Sequence, residues 1–224
     1  MKINNKDIEQ QYSAIVTSFT VGPPEVNNSF FTVGMKRILV SSQINPLSLQ
    51  LQLFFEDKDN MSLFIRDVSG ECIIEDDGDS FIYQCYLNDK QPVAYSHVGC
   101  DMYSATYSFS AVRMKRLRKY NLLKERNIIN LDSLIVSPCR YTIGIKEDLN
   151  NLVVGGYVVK NLKAGGKLIL DGFEQRIVYN SSNKFSDTTL KDNVFPHLKP
   201  GINEIVIDPI AKLDVVLEVY PLWM

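Results

Sequence analysis

The sequence predicts a mainly β protein built from two β-sandwich domains, the first of which carries one α-helix. Three observations lead to this prediction. Apolar and polar residues alternate through much of the first half, one stretch there follows the helical period instead, and turn signals recur about every ten residues in the second half. The length of 224 residues suits one large domain or two small ones.

Two stretches of the first half have the strict alternation of half-buried strands. In NPLSLQLQLFF, leucines alternate with Ser or Gln: Leu47, Leu49, Leu51 and Leu53. In CDMYSATYSFSAVRM, apolar residues alternate with Ser or Thr: Tyr103, Ala105, Tyr107, Phe109 and Ala111. Each pattern predicts a strand with one face turned to the core.

Between these strands the period changes to that of a helix. In DKDNMSLFIRDVSGE, four apolar residues fall at i, i+3, i+4 and i+7: Met61, Phe64, Ile65 and Val68. Asp57, Asp59 or Asn60 can cap the helix, and Gly70 can end it. The following ECIIEDDGDSFIYQCYL predicts a hairpin in which Gly78 supplies a positive φ.

The alternation stops at RMKRLRKYNLLKER, a basic run from Arg113 to Arg126 that also contains Tyr120. We predict a first domain at residues 1–118, a basic linker at 119–126 and a second domain at 127–224. A solvated linker, or pairing with acidic groups of another subunit, is favoured over contact with nucleic acid because the net charge of the chain is −2.

The second half contains turn signals at Gly155-Gly156, Gly165-Gly166 and Asp171-Gly172, the last predicting a two-residue hairpin. In VFPHLKPGINEIVID, residues 199–202 predict a type II turn that begins a strand. The Asn203 amide is expected to bond backbone groups of this corner, with Phe195 and Leu198 anchoring the loop. The terminal LDVVLEVYPLWM predicts a strand with Val215, Leu217 and Val219 on one face.

Composition excludes several classes of protein. No signal peptide is recognisable, and no window holds about eighteen consecutive apolar residues, so neither secretion nor membrane insertion is expected. The four cysteines lack C-x-x-C spacing and are interpreted as reduced core residues: Cys72, Cys85, Cys100 and Cys139.

No motif points to catalysis, and the sequence predicts no enzyme, catalytic residue, cofactor or metal site. His97 and His197 belong to no nucleophile or metal motif and are interpreted as a strand-end and a loop histidine. An acidic cluster lacks the spacing of a calcium loop and is interpreted as a solvated hairpin tip: Glu75, Asp76, Asp77 and Asp79.

Aromatic residues on a sandwich face can stack on sugars. The second domain offers five candidates for such a platform: Tyr157, Phe173, Tyr179, Phe185 and Trp223. A carbohydrate-binding module that recognises host cell-wall glycans is therefore kept as an alternative function.

The order of elements resembles the distal tail proteins, the Dit family, of long-tailed siphophages that infect Gram-positive bacteria. NIINLDSLIVSPCRYTI, AGGKLILDGFEQRIVY, VFPHLKPGINEIVI and VVLEVYPLW are similar, in this order, to the C-terminal galectin-like, jelly-roll-like domain of that family. The first half is similar through its initial β segment, its helix, the DSFIYQCYL strand and a closing strand that ends near Met114.

This resemblance implies a structural protein of the phage virion. The first domain would form a hexameric ring at the tail tip, and the second would support the baseplate used for host attachment. The implied partners are further copies of the chain, the tail tube protein, the tape measure protein and tail-associated or receptor-binding proteins. Assembly in the host cytoplasm is expected.

Overall fold

The structure is a computed structural model that describes residues 1–23, 26–33, 36–44, 46–88, 94–99 and 102–223, with side chains described for 1–23, 46–88, 96–98 and 102–223. The chain divides into two compact units, residues 1–115 and residues 116–223. Each unit has its own buried apolar core.

The first unit is an antiparallel sheet, curled into a half-barrel, together with two helices. Its elements in chain order are β1 Lys2–Ile3, β2 Lys6–Asp7, α1 Ile8–Tyr12, β3 Ala14–Val21, β4 Val26–Val33, β5 Lys36–Ile44, β6 Leu47–Phe55, α2 Lys58–Val68, β7 Glu71–Glu75, β8 Phe81–Leu87, β9 Ala94–Gly99 and β10 Met102–Lys115. The sheet order is β2-β1-β7-β8-β10-β6-β3, and β9 also pairs with β10. β4 and β5 form a separate two-stranded sheet.

The predicted alternation forms the core of this unit. The four leucines of β6 and the inward residues of β10 from Ala105 to Ala111 are at most 3% exposed. Helix α2 covers them with Phe64, whose ring centroid lies 4.8 Å from that of Tyr107 and 5.7 Å from that of Phe55. Burying each such side chain stabilises the fold by about 2 kcal/mol.

Helix α2 confirms the predicted helix. The Asp57 carboxylate accepts a hydrogen bond from the backbone N–H of Asn60 at 2.7 Å, and the helix ends at Val68, two residues before Gly70. The five-residue helix α1 was not predicted, because a single turn shows no helical period. Asp7 caps it by accepting from the N–H of Gln10 at 3.1 Å.

The β7–β8 hairpin was predicted correctly, but the role given to Gly78 was wrong. The N–H of Asp79 donates to the carbonyl of Asp76 at 3.1 Å, which closes a β-turn. Neither central residue, Asp77 nor Gly78, has a positive φ. The loop from 76 to 80 is longer than a two-residue hairpin turn, so it does not need a left-handed glycine.

The second unit is a sandwich of two antiparallel sheets, as predicted. Its strands are β11 Arg118–Leu122, β12 Arg126–Leu131, β13 Ser137–Ile145, β14 Leu149–Val154, β15 Tyr157–Leu162, β16 Lys167–Asp171, β17 Arg176–Tyr179, β18 Ser182–Asn183, β19 Thr188–Thr189, β20 His197–Leu198, β21 Gly201–Asp208, β22 Leu213–Val219 and β23 Leu222–Trp223. One sheet has the order β11-β22-β13-β16-β17-β18, with β20 paired to β13, and the other has the order β12-β21-β14-β15-β19.

Residues 119–126, predicted as a basic linker, contribute instead to this sandwich. Strand β11 pairs with β22, and Tyr120 lies opposite Leu217. Leu122 is 3% exposed and belongs to the core of the second unit. Apolar and polar residues still alternate here, with Tyr120 and Leu122 on the inner face of β11. The positive charges next to them made this strand look like a linker in the sequence.

The corner before β21 has the predicted turn. Gly201 has a φ of +82°, as the third position of a type II turn requires. The Asn203 amide donates to the carbonyls of Lys199 at 2.8 Å and Gly201 at 3.0 Å, and accepts from the N–H of Lys199 at 2.9 Å. Leu198 is buried and Phe195 is half-buried, so this loop is anchored as expected.

Gly172 joins three segments that are far apart in sequence. The predicted two-residue hairpin at Asp171-Gly172 was wrong, because Asp171 pairs with Arg176 and leaves four residues in the loop. The N–H of Gly172 donates to the carbonyl of Cys139 at 2.9 Å, and the N–H of Cys139 donates to the carbonyl of Pro196 at 2.9 Å. A Cβ on Gly172 would lie 1.9 Å from the Pro196 oxygen, so only glycine fits.

Asp67, at the end of α2, holds the N-terminal segment on that helix. Its carboxylate accepts from Lys6 Nζ at 2.7 Å, from the Tyr12 hydroxyl at 2.9 Å and from Arg66 Nε and a terminal nitrogen, both at 3.0 Å. The hydrogen bonds from Lys6 and Tyr12 stabilise the ionised form and lower the pKa of Asp67 from 3.8 to about 2.

This pKa shift predicts a pH-dependent contribution to stability. The native pKa lies below the ordinary value, so the contribution is complete above about pH 4 and is lost as the pH falls toward 2. We expect Asp67→Asn to lower the free energy of unfolding by about 2 kcal/mol at neutral pH and by much less near pH 2. Urea unfolding at both pH values measures this difference. Asp148→Asn, which changes an exposed carboxylate paired with Lys163, is the control and should have a small effect. An equal loss for Asp67→Asn at both pH values would contradict the assignment.

The close approach at Gly172 predicts a severe effect of adding one methyl group. We expect Gly172→Ala to lower the free energy of unfolding by about 3 kcal/mol, because backbone atoms on either side must move apart. Gly165→Ala is the matched control, since Gly165 has a positive φ but no neighbour within 4 Å, and it should cost about 1 kcal/mol. Denaturant unfolding of both variants tests this, and equal losses would show that the contact at Gly172 is unimportant.

Candidate assembly surface

The two histidines lie in different units. His97 is exposed on β9, and its ring centroid lies 5.2 Å from that of Tyr103. His197 is half-buried in β20, with Nδ1 3.0 Å from the carbonyl oxygen of Phe195. Cys72, Cys85 and Cys139 are buried free thiols, as expected, and Cys100 lies outside the described residues.

The acidic hairpin tip is tied to its own chain. The terminal amino group of Met1 lies 2.9 Å from the Asp77 carboxylate, and the Tyr83 hydroxyl donates to Asp79 at 2.6 Å. Within the described ranges, no group of three or more His, Cys, Asp or Glu side chains is placed to hold a metal ion. A search of the same residues finds no helix with the length and apolar character needed to cross a membrane.

The five aromatic candidates do not form one exposed platform. Tyr157 is only 2% exposed, so no surface sugar can stack on it. Phe173 packs edge-on against Tyr220 at 5.7 Å. The Tyr179 hydroxyl bonds the backbone of Lys163, and the Trp223 indole donates to Asp132. Phe185 is 48% exposed and lies 6.0 Å from Phe195.

The basic segment pairs with acidic residues of its own unit. Three ion pairs involve strands β11 and β12: Arg118 with Asp132 at 3.9 Å, Lys119 with Glu218 at 2.7 Å and Arg126 with Glu204 at 3.3 Å. These intrachain pairs neutralise part of the positive charge, so less of it is left to pair with another subunit or with nucleic acid.

Strand β3 is an open edge of the large sheet of the first unit in the described part of the chain. It pairs with β6 on one side, and no described strand pairs with its other side. Proteins usually protect such edges with charges, prolines or very short strands. Several other edge strands follow this rule: β2, β18 and β19 have two residues each, β11 carries Arg118 and Lys119, and β12 carries Arg126. Strand β9, which pairs only with β10 among the described strands, has six residues and no Lys, Arg, Asp or Glu.

The eight residues of β3 lack these protections. No charged residue occurs from Gln10 to Pro24. Ile15 is 58% exposed, and Phe19 and Val21 are half-buried. The one protective device in this strand is a β-bulge, which interrupts the register between Val16 and Ser18. This charge-free run is the sequence signal of an open edge, and it was not among the features predicted from the sequence.

The β4–β5 hairpin is a second feature without a partner strand in the described part of the chain. Its strands pair with each other from Val26↔Ile44 to Val33↔Lys36, and with no other described strand. Eight residues of extended chain span about 27 Å. An isolated two-stranded hairpin of this kind is only marginally stable in water. We call the open edge of β3 (Ala14–Val21) and the β4–β5 hairpin (Val26–Val33 and Lys36–Ile44) together the candidate assembly surface.

Comparison with known proteins identifies the fold. No protein-family model and no curated protein sequence matches the chain. Among solved structures, the chain is similar to the Dit protein (gp 19.1) of phage SPP1. That protein is described as a paradigm of the hub adsorption apparatus in phages infecting Gram-positive bacteria. The alignment covers 99% of this chain and 98% of the SPP1 protein, with a TM-score of 0.73 and 8% sequence identity.

Two structures of the phage P2 baseplate in its activated conformation also align. The one with Ca has a TM-score of 0.52 and the one with Sr a TM-score of 0.51. Both are 10% identical and cover 89% of this chain and 90% of theirs. The fold expected from the sequence resemblance is therefore confirmed, and the chain has the fold of the SPP1 Dit protein over nearly its full length.

Proposed function

We propose that this protein is a structural component of a phage tail tip that forms a hexameric ring between the tail tube and the baseplate. The observation that carries the proposal is the structural alignment of 99% of the chain with the SPP1 hub protein, since an alignment of this length includes residues of both units. In this function the chain is a structural part of the virion and not an enzyme.

The candidate assembly surface supplies a physical route to the ring. Each copy has an open edge at β3, where unpaired backbone N–H and C=O groups can accept a strand from a neighbour. A contact between two different surfaces of the same chain is head-to-tail, and it closes into a ring when the rotation between copies permits. Six copies would then leave no open β3 edge.

The β4–β5 hairpin is the proposed second half of that contact. Its marginal stability alone is overcome when it packs on, or pairs with, another sheet. The described part of the chain provides no partner strand for it, so the first unit of a neighbouring copy is the proposed partner.

The second unit is proposed to act as a rigid support. Its edges are short or charged, and its loops are held by backbone contacts such as those at Gly172 and Asn203. A surface that keeps its shape suits the docking of other tail proteins. The proposed partners are the tail tube protein, the tape measure protein and tail-associated or receptor-binding proteins, with assembly in the host cytoplasm.

The direct test is the mass and symmetry of the purified protein. We expect a species of six times the 25.5 kDa chain mass, or ring formation once the tail tube protein is added. Native mass spectrometry gives the mass, and negative-stain microscopy gives the symmetry. A strict monomer under both conditions would refute the proposal.

A double substitution on the open edge tests the route. Ser18 and Thr20 are exposed on β3, and replacing both with lysine places like charges where copies are proposed to meet. We expect Ser18→Lys/Thr20→Lys to convert rings to monomers without lowering the unfolding midpoint of the monomer. Ser62→Lys, at an exposed position on helix α2, is the control and should leave rings intact. Rings that persist in the double variant would exclude β3 from the interface.

A further inference from the structure

Among the residues whose side chains the structure describes, the three most exposed large apolar ones lie close together in the second unit. Leu123 is 80% exposed, Ile202 77% and Ile128 76%, whereas Ile15 and Val98, which come next, are 58% exposed. Single apolar side chains on a protein surface are common, but a cluster of them marks a site that contacts another molecule. We call Leu123, Ile128 and Ile202 the apolar corner.

Strand pairing brings the members of the apolar corner together. Ile128 of β12 lies opposite Glu204 of β21, and Ile202 precedes Glu204 by two residues on the same outward face. Side chains in this diagonal relation are about 7–8 Å apart. Leu123 and Ile128 line one groove, whose volume is about 460 Å³. Sites that bind small ligands in proteins have volumes of about 300–1,000 Å³, so this groove is large enough for a bulky side chain.

The groove lies where the edges of the two sheets meet. Strand β11 is the outer strand of one sheet, β12 is the outer strand of the other, and a three-residue turn connects them. The Asn127 amide donates to the carbonyl of Lys124 and accepts from its N–H. The N–H of Ile207 donates to the carbonyl of Glu125 at 2.8 Å. These bonds fix the turn that carries Leu123, and a fixed surface loses less entropy on binding.

The lining of the groove is positively charged. Lys124 and Arg126 contribute to it, and no described Asp or Glu does. Arg126 pairs with Glu204 at 3.3 Å, whereas Lys124 forms no ion pair with any described residue. Glu125, in the same turn, is exposed and lies outside the lining. The Lys124 ammonium group is therefore available to pair with a carboxylate of another molecule.

The dimensions and edges of the groove indicate what kind of molecule fits it. Nine residues line it, whereas each side of a stable interface between folded proteins has about 20–30 residues. A short segment therefore fits better than the folded surface of a second copy. The charges on β11 and β12 oppose pairing with a further strand, so the segment must bind through its side chains.

We propose that this groove binds a short segment of another protein. A large apolar side chain of the segment inserts between Leu123 and Ile128, and a neighbouring carboxylate pairs with Lys124. Ile202 extends the apolar contact on the outer face of β21. The apolar anchor supplies most of the binding free energy, and the charge pair supplies specificity. Only the identification of the partner as another tail protein rests on the proposed function.

Selection from a random library of short peptides, with the full chain immobilised, tests the proposal. We expect the selected peptides to combine a large apolar residue with Asp or Glu. Fluorescence polarisation with the most enriched peptide then measures affinity. Leu123→Ser and Lys124→Glu should each weaken binding about tenfold, which corresponds to about 1.4 kcal/mol. Both positions are exposed, so both variants should keep the fold.

Val194→Ser is the matched control, because Val194 is an exposed apolar residue of the second unit outside the groove. It should bind the peptide as the unsubstituted chain does. The proposal is overturned if no peptide is enriched, if the enriched peptides lack acidic or apolar residues, or if Leu123→Ser binds them normally.

Native mass spectrometry separates this proposal from its rivals. A dimer that is lost in Leu123→Ser would overturn it, because a second copy would then occupy the groove. Ring formation is read in the same spectra and does not involve the groove. Failure of peptide binding and failure of ring formation are therefore distinguishable.

Discussion

The satisfaction of backbone hydrogen bonds at sheet edges is the constraint on which the rest of this structure depends. Every open sheet ends in strands with unpaired N–H and C=O groups on one side. In the second unit the edges are protected by the two-residue strands β18 and β19 and the charged strands β11 and β12. The first unit lacks such protection at β3, because this strand has eight uncharged residues. The described edges of the second unit are therefore protected, whereas the β3 edge of the first unit is open.

Much of the fold could be predicted because its signals are local. The alternation from Leu47 to Leu53 and from Tyr103 to Ala111 predicts which side chains are buried. This pattern depends only on residues that are close in sequence. Features that depend on distant segments were missed. Gly172 reads as a hairpin glycine, yet its conformation is set by the backbone at Cys139 and Pro196. Strand β11 was obscured by charges whose acidic partners lie far along the chain, such as Glu218.

The candidate sites show the same limit. The open edge at β3 was present in the sequence as a charge-free run, but only the sheet order shows that no described strand covers it.

The order in which strands enter the sheets has a consequence for synthesis on the ribosome. In the first unit β10 lies between β6 and β8, and in the second β22 lies between β11 and β13. Each strand is among the last of its unit to be translated, and each occupies an interior place. The sheet of the first unit can therefore form while the second unit is still being translated. In the second unit β22 pairs with both β11 and β13, so that sheet can form only after residue 219 has been translated. At a translation rate of about 5–20 residues per second, the interval between the end of β13 and the end of β22 lasts about 4 to 15 seconds.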